Sequence, residues 1–175
     1  MIPIKRILIL GLFLMQVGCQ YVGVTSSQLS PVVNALFGSA TEPATLWVAE
    51  YGGYSAHVYP ISVNAETLFA NNDDAITFDG WRFSKIKGLR GFVPAWEIQD
   101  SGSERSFIVN GKVVATHQCN VWVKQDNHGG VRFEQDCIGQ TAYTNTILVD
   151  NLGQITSIKQ VVDTSLMVLR LRIDN

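Results

Sequence analysis

A cysteine near the N-terminus, Cys19, has the most sharply defined chemistry in this 175-residue sequence. Lys5 and Arg6 stand before a short apolar run at residues 7–15, and Gly18 directly precedes the cysteine. A positive segment before a short apolar segment is typical of a secretory signal, whereas a membrane-spanning helix needs roughly 20 apolar residues. A small residue followed by cysteine is where lipoprotein signal peptidase cleaves. The pattern predicts cleavage before Cys19 and lipid attachment to its thiol; the alternative is an ordinary signal peptide with a cysteine nearby by chance.

The predicted lipid also defines a location. A diacylglycerol on the Cys19 thiol and a further acyl chain such as palmitate on its amine would anchor the protein more firmly than one chain can. The residue after the anchor is Gln20 rather than aspartate, and lipoproteins with this feature are sorted outward. We therefore expect the protein to be lipid-anchored at the periplasmic face of the outer membrane.

The two remaining cysteines, Cys119 and Cys137, lie at the ends of two predicted strands, residues 119–125 and 131–137. A three-residue loop at 127–129 would place them directly opposite each other, with Cα atoms about 4.5 Å apart and within reach of a disulfide. Export exposes the chain to an oxidising compartment, which permits the bond. We expect a disulfide here; the alternative is two reduced buried thiols.

Motifs for catalysis or metal binding are absent from the sequence. The three histidines, His57, His117 and His128, have no partners at metal-ligand spacing, and no nucleophile motif occurs. Glu134 and Asp136 share one face of a strand about 7 Å apart, which would suit a glycosidase, but a solvated strand face is the simpler interpretation. We expect no enzymatic activity, no cofactor and no metal site.

The charge balance argues against nucleic acid as a partner. The full chain has a formal net charge of −2, and the predicted cleavage removes Lys5 and Arg6, so the mature chain is more acidic still. Proteins that bind nucleic acid usually carry a basic excess. Attachment to the membrane is therefore expected through the N-terminal lipid alone.

Two tryptophans and an arginine are the candidate contact residues. Trp81 stands beside Arg82 at a predicted hairpin turn, and the register of the disulfide hairpin places Trp122 on its charged face. Tryptophan rings stack on sugars because an apolar body is combined with a polar tip; packing within the core or between strands is the usual alternative. Trp81, Arg82 and Trp122 are thus predicted to contact a glycan or a partner protein.

The elements that would position these residues are β-strands. Short β-branched and aromatic runs are separated by turn dipeptides, and Asp79-Gly80 and Asn110-Gly111 each favour a two-residue hairpin turn. A further turn is predicted at residues 151–153, and the last strand alternates strictly between apolar and other residues. We expect an all-β, mainly antiparallel fold, either a β-sandwich or a partly open barrel built from consecutive hairpins.

The predicted domain order has three parts. Residues 1–18 form a signal peptide that is removed, and residues 19–44 form a lipidated tether and lead-in, with a short helical turn at residues 32–37 that Gly38 ends. Residues 45–175 form a single β domain.

Several segments resemble the YjbF/GfcB family of lipoproteins. The segment Ile147-Leu148-Val149-Asp150-Asn151-Leu152-Gly153-Gln154-Ile155-Thr156-Ser157-Ile158-Lys159-Gln160 is similar to the family's C-terminal signature, aromatic-x-Asp-x-x-Gly-x-Ile-x-x-Ser-x-Gln. Leu36-Phe37-Gly38 is similar to its lead-in, and Phe78-Asp79-Gly80-Trp81 with Lys87-Gly88-Leu89 is similar to one of its hairpins. Members are outer-membrane lipoproteins encoded with exopolysaccharide or group 4 capsule secretion genes, and they are not known as enzymes. The resemblance implies a non-enzymatic lipoprotein that assists secretion or assembly of such a polysaccharide.

Two functional hypotheses follow from the sequence. An accessory lipoprotein would bind polysaccharide or proteins of the secretion machinery at an edge or rim, over a filled core. A lipid- or acyl-chain-binding periplasmic module would instead enclose a sizeable apolar cavity within a concave sheet. The packing inside the fold distinguishes these two hypotheses.

Overall fold

Successive hairpins connect the strands of this protein. The computed structural model describes residues 45–127 and 129–174, and every strand pair in it is antiparallel. Asn110 and Gly111 have φ values of 51° and 71°, as the predicted two-residue turn requires. The described residues form thirteen strands: β1 Trp47–Tyr51, β2 Tyr54–Val63, β3 Glu66–Ala70, β4 Ala75–Phe78, β5 Phe83–Gly88, β6 Phe92–Ser101, β7 Glu104–Val109, β8 Lys112–Cys119, β9 Val123–Asn127, β10 Gly130–Ile138, β11 Ala142–Asp150, β12 Ile155–Val161 and β13 Val168–Ile173.

The sheet closes on itself, which corrects the predicted sandwich or partly open barrel. The order of strands runs β11-β12-β13-β1-β2 and onward through β8 to β10, and β10 also pairs with β11. Twelve strands therefore form a closed antiparallel barrel, and β9 is an extra strand beside β10. Closure gives every strand of the ring two neighbours, although β8 meets β10 only at Gln118 and Cys119.

Alternation of residues along the strands directs apolar side chains into the barrel. On β13, Leu169 and Leu171 are fully buried whereas Arg170 and Arg172 are exposed, so the predicted alternation is confirmed. The buried apolar side chains form one cluster that joins strands from all around the ring: Trp47, Ala49, Val58, Phe69, Ile76, Phe78, Phe83, Ile86, Leu89, Phe92, Ile98, Phe107, Ile147, Ile158, Val162, Leu169 and Leu171. Apolar side chains from most of the strands thus pack together inside the barrel.

The disulfide between Cys119 and Cys137 is present, and the predicted opposite pairing of these residues is confirmed. Their Cα atoms lie 4.0 Å apart. Only one other residue pair, Gln118 with Ile138, joins β8 to β10. The bond therefore lies in the shortest seam of the closed barrel.

Beyond the disulfide, the predicted register of the hairpin is wrong by one residue. Val123 lies opposite Glu134 and Asn127 lies opposite Gly130, so the connection is shorter than the predicted three-residue loop. The chain leaves regular strand geometry at residues 120–122, which absorbs the extra residue. A shift of one position exchanges the two faces of a strand, so Trp122 turns toward the apolar core instead of the charged face.

Buried amide side chains satisfy the backbone at this irregular segment. The Gln135 side chain donates to the carbonyl of Asn120 over 3.0 Å, and the Asn145 side chain donates to Gln135 over 3.2 Å. On the other side, Asn145 accepts the backbone N–H of Val161 at 3.0 Å. Because buried polar groups without partners are costly, these two inward amides stabilise the departure from regular pairing.

The described residues contain strands, turns and bends, and none of their segments is a helix long and apolar enough to cross a membrane. The predicted signal peptide, the tether and the helical turn at residues 32–37 lie outside the described residues.

Candidate functional site

The loop between β4 and β5 presents Trp81 at the surface. Asp79 and Gly80 were predicted to form a two-residue turn, but the loop takes in residues 79–82, because the Asp79 carboxylate accepts the backbone N–H groups of both Trp81 and Arg82 at 2.9 Å. The Asp79 N–H in turn donates to the Arg82 carbonyl over 3.1 Å. Gly80 has a φ of 100°, which side chains rarely tolerate. The wider loop projects the indole outward, and Trp81 is 49% exposed.

Three aromatic side chains meet at this loop, and we call Trp81, Trp122 and Phe133 the aromatic rim. The ring centroids of Trp81 and Trp122 are 5.8 Å apart, and Phe133 meets Trp81 edge-on at 5.3 Å. Trp122 and Phe133 are partly buried against the core. The structure therefore brings together the two tryptophans that the sequence proposed as contacts and adds Phe133, which sequence reasoning placed on the opposite face from Trp122.

A buried glutamine fixes the loop from across the barrel. The Gln160 side chain on β12 donates to the Trp81 carbonyl over 2.7 Å and accepts the Phe83 N–H at 3.2 Å. Gln160 is 2% exposed, so both bonds are shielded from water. The residue was missed as part of the site, although a polar side chain among the apolar positions of β12 is a signal that could have identified it.

The side chain of the candidate Arg82 contacts two carboxylates beneath the loop. Its Nε lies 3.1 Å from Asp79 without alignment for a hydrogen bond, and a terminal nitrogen lies 3.3 Å from Asp100. Asp100 also accepts a two-pronged pair of bonds from Arg105 at 2.8 and 2.9 Å, and Arg105 is 1% exposed. In this arrangement Arg82 holds the loop to β6.

The electrostatics of Asp100 follow from these contacts. Burial opposes its ionisation, but the hydrogen bonds and charge of Arg105, with Arg82 behind it, outweigh burial and hold the pKa of the Asp100 carboxyl below its ordinary value. The ionised carboxylate thus compensates a fully buried guanidinium.

A histidine–tyrosine pair between β8 and β11 lies next to the ion pair of Asp100 and Arg105. His117 lies directly opposite Arg105, and its Nδ1 is 2.7 Å from the Tyr143 hydroxyl. Burial, with the charge of Arg105, lowers the pKa of His117, and burial raises the pKa of Tyr143 to about 12. Both groups are therefore neutral at pH 7. A side chain at Gly139 would meet the His117 ring, since an added Cβ would lie 2.7 Å from it.

The remaining predicted candidates are engaged in ordinary surface contacts. Glu134 pairs with Arg132 at 2.5 Å, and Asp136 accepts the Thr144 hydroxyl at 2.7 Å. His57 contacts Asp174 at 3.1 Å, and no group of three metal-ligating side chains forms within residues 45–127 and 129–174. His128 lies outside the described residues.

Comparison with known proteins places the fold but not the family. No protein-family model and no curated protein matches the chain. The structure is similar to the crystal structure of the hypothetical lipoprotein YmcC from Escherichia coli (K12), with a TM-score of 0.56 and 11% sequence identity. The match covers 87% of this chain and 98% of that chain. At such low sequence identity, this structural similarity shows a shared fold and no shared function.

Proposed function

We propose that this protein is a non-enzymatic lipoprotein of the outer membrane that assists secretion or assembly of an exopolysaccharide or capsule. Cleavage before Cys19 and acylation of its thiol hold it at the periplasmic face. The aromatic rim contacts the glycan or a protein of the secretion machinery. The resemblance to the YjbF/GfcB family supports this role, as does the shared fold with a protein described as a hypothetical lipoprotein.

The observation that carries the proposal is the arrangement around Trp81. A half-exposed indole is costly to leave in water, yet Asp79 and Gln160 hold its loop from two sides in the position that exposes it. Trp122 packs beside it, so the two indoles form one rigid apolar surface next to polar groups. Rigid aromatic surfaces bind sugar rings and protein partners with little loss of conformational entropy.

The packing of the interior argues against the lipid-binding alternative. Phe83, Phe107 and Leu171 belong to the central cluster and are fully buried. An acyl chain inside the barrel would have to displace some of these side chains, because protein interiors are generally close-packed. Binding at the rim needs no such rearrangement.

A binding experiment tests the role of the rim. The full chain is reconstituted in phosphatidylcholine nanodiscs and titrated, with tryptophan fluorescence as the signal, with exopolysaccharide purified from the medium of the host. We expect Trp81→Ala to weaken binding about fivefold or more, since an aromatic contact contributes about 1 kcal/mol beyond the area it buries. Tyr59→Ala is the matched control, because Tyr59 is 51% exposed but lies outside the rim.

A secretion assay tests the biological role. The gene is deleted in its host, and the amount of polysaccharide released is measured after complementation with wild type, Trp81→Ala or Tyr59→Ala. We expect the deletion and Trp81→Ala to reduce release and Tyr59→Ala to restore it. Normal release from the deletion strain would reject a role in secretion, and normal release with Trp81→Ala alone would reject the rim as its site.

A further inference from the structure

The outer surface of β12, β13 and β1 carries cations in direct register. Lys159 on β12 lies opposite Arg170 on β13, and Arg170 lies opposite Glu50 on β1. Arg172 is the next outward residue on β13. Like charges placed directly opposite each other destabilise a sheet, so the Lys159–Arg170 pair is unfavourable for the fold alone.

One carboxylate, that of Glu50, pairs with two of these three cations. The Glu50 carboxylate lies 3.2 Å from Arg172 and 3.9 Å from Arg170, and Lys159 makes no ion pair with any residue of the described chain. Arg170 remains 48% exposed. This surface is therefore net positive although the protein as a whole has a net charge of −2.

A groove lies between the cations and the hairpin that joins β1 to β2. It has a volume of about 470 Å³, and its wall includes Lys159 and Arg170, the Glu50 side chain, and the backbone of Gly52 and Gly53. Both glycines have positive φ, and the space where a side chain would stand is open at Gly53 but occupied by Met167 at Gly52. A guanidinium offers a planar fork to a carboxylate or phosphate, and an ammonium beside it adds a point charge.

We propose that this cationic groove binds an anionic group of the carboxylate or phosphate class, with Lys159 and Arg170 as its ligands. The bound anion offsets the repulsion between these two cations, which explains why an unfavourable pair is present. The groove shares no residue with the aromatic rim, so the proposal does not depend on the glycan role of Trp81. A soluble anionic polymer and a lipid headgroup carry the same chemistry.

Calorimetric titration at low ionic strength tests the groove. The full chain in phosphatidylcholine nanodiscs is titrated with polygalacturonate and with inorganic polyphosphate, and neutral dextran is the blank. We expect Lys159→Gln/Arg170→Gln to lose about tenfold or more in affinity for the polyanions, as removal of charged hydrogen bonds predicts. The matched control is Lys87→Gln/Lys112→Gln, which removes the same charge from exposed positions on other strands and should bind within about twofold of wild type.

A stability measurement separates loss of the site from loss of the fold. Because Lys159→Gln removes a like-charge repulsion, its melting temperature should equal or exceed that of the wild type while its polyanion binding falls. Failure of the wild type to bind either polyanion, or equal binding by wild type and the double variant, would overturn the proposal. Phosphatidylglycerol in the nanodiscs distinguishes the sources, because competition with the polyanion identifies a lipid headgroup and undiminished binding identifies a soluble ligand.

Discussion

At the scale of single residues, Gln160 links the interior of the barrel to its candidate site. Its amide joins β12 to the loop that carries Trp81, across a separation of 79 positions in the chain. The sequence predicted Trp81 and Trp122 as contacts from residue type alone, but neither hydrophobic pattern nor turn chemistry indicates a contact between such distant segments. Phe133 was missed for a related reason. The one-residue shift at residues 120–122 places Phe133 on the same face of the hairpin as Trp122, and the predicted register did not include that shift.

Replacement of this glutamine tests its anchoring role. In Gln160→Leu the Trp81 carbonyl and the Phe83 N–H lose a shielded partner, and we expect a loss of about 1–3 kcal/mol in the free energy of unfolding. Urea denaturation gives this value, and the emission maximum of Trp81 should shift as the loop loosens. Gln99→Leu is the control because Gln99 is exposed on β6. An equally small effect of both substitutions would mean that the loop is held without Gln160.

The ion pair of Asp100 and Arg105 gives the protein a defined sensitivity to acid. The pKa of Asp100 is lower in the folded than in the unfolded state, so its stabilising contribution is complete at pH values above the unfolded pKa. That contribution disappears as the pH falls through the folded pKa. Asp100→Asn leaves the buried Arg105 charge uncompensated, and we expect a cost of about 3 kcal/mol at pH 7, near the lower end for buried pairs because Asp100 retains some contact with water.

The pH dependence distinguishes this charge effect from a general packing defect. Urea unfolding between pH 7 and pH 3 should show the wild type losing its advantage over Asp100→Asn as the pH falls. A difference between the two proteins that stays constant over this range would show that the charge of Asp100 contributes nothing. Asp126→Asn is the control, since Asp126 is 84% exposed.

At the scale of strands and turns, local chemistry predicted some hairpins and missed others. Asn110-Gly111 forms the predicted turn because both residues reach positive φ without help from elsewhere. Asp79-Gly80 has the same signature, but the Asp79 carboxylate bonds two backbone N–H groups ahead of it and forms a longer loop. An Asp-Gly dipeptide therefore fails to predict a two-residue turn where the aspartate side chain accepts hydrogen bonds from backbone N–H groups of its own loop.

The short seam between β8 and β10 makes the disulfide important for a whole group of strands. We expect Cys119→Ala/Cys137→Ala to lose about 3 kcal/mol in the free energy of unfolding, as the chain-entropy model gives for a loop with a sequence separation of 18. Since only one other residue pair crosses the seam, hydrogen exchange should accelerate first in β8, β9 and β10. Uniform acceleration across all strands would mean that the seam has no separate stability.

At the scale of the whole molecule, closure of the barrel could not be predicted from the hairpin pattern. Consecutive antiparallel hairpins have the same local sequence in an open sheet, a sandwich and a barrel. Closure depends on a pairing between the two ends of the β domain, β1 with β13, which no local signal in either strand indicates. The all-β class and the final amphipathic strand could be predicted because both depend on alternation within one segment.

The proposed anchor connects export, location and the disulfide in one molecule. If Cys19 is the acylated residue, Cys19→Ser should move the protein from the membrane fraction to the soluble periplasmic fraction, because no lipid is then attached to hold it. Mass spectrometry should find the wild-type chain beginning at Cys19 with its acyl chains, and the variant without them. The Cys119–Cys137 bond should form in both proteins, since export alone supplies the oxidising compartment. Equal membrane partition and an unmodified Cys19 in the wild type would refute the anchor.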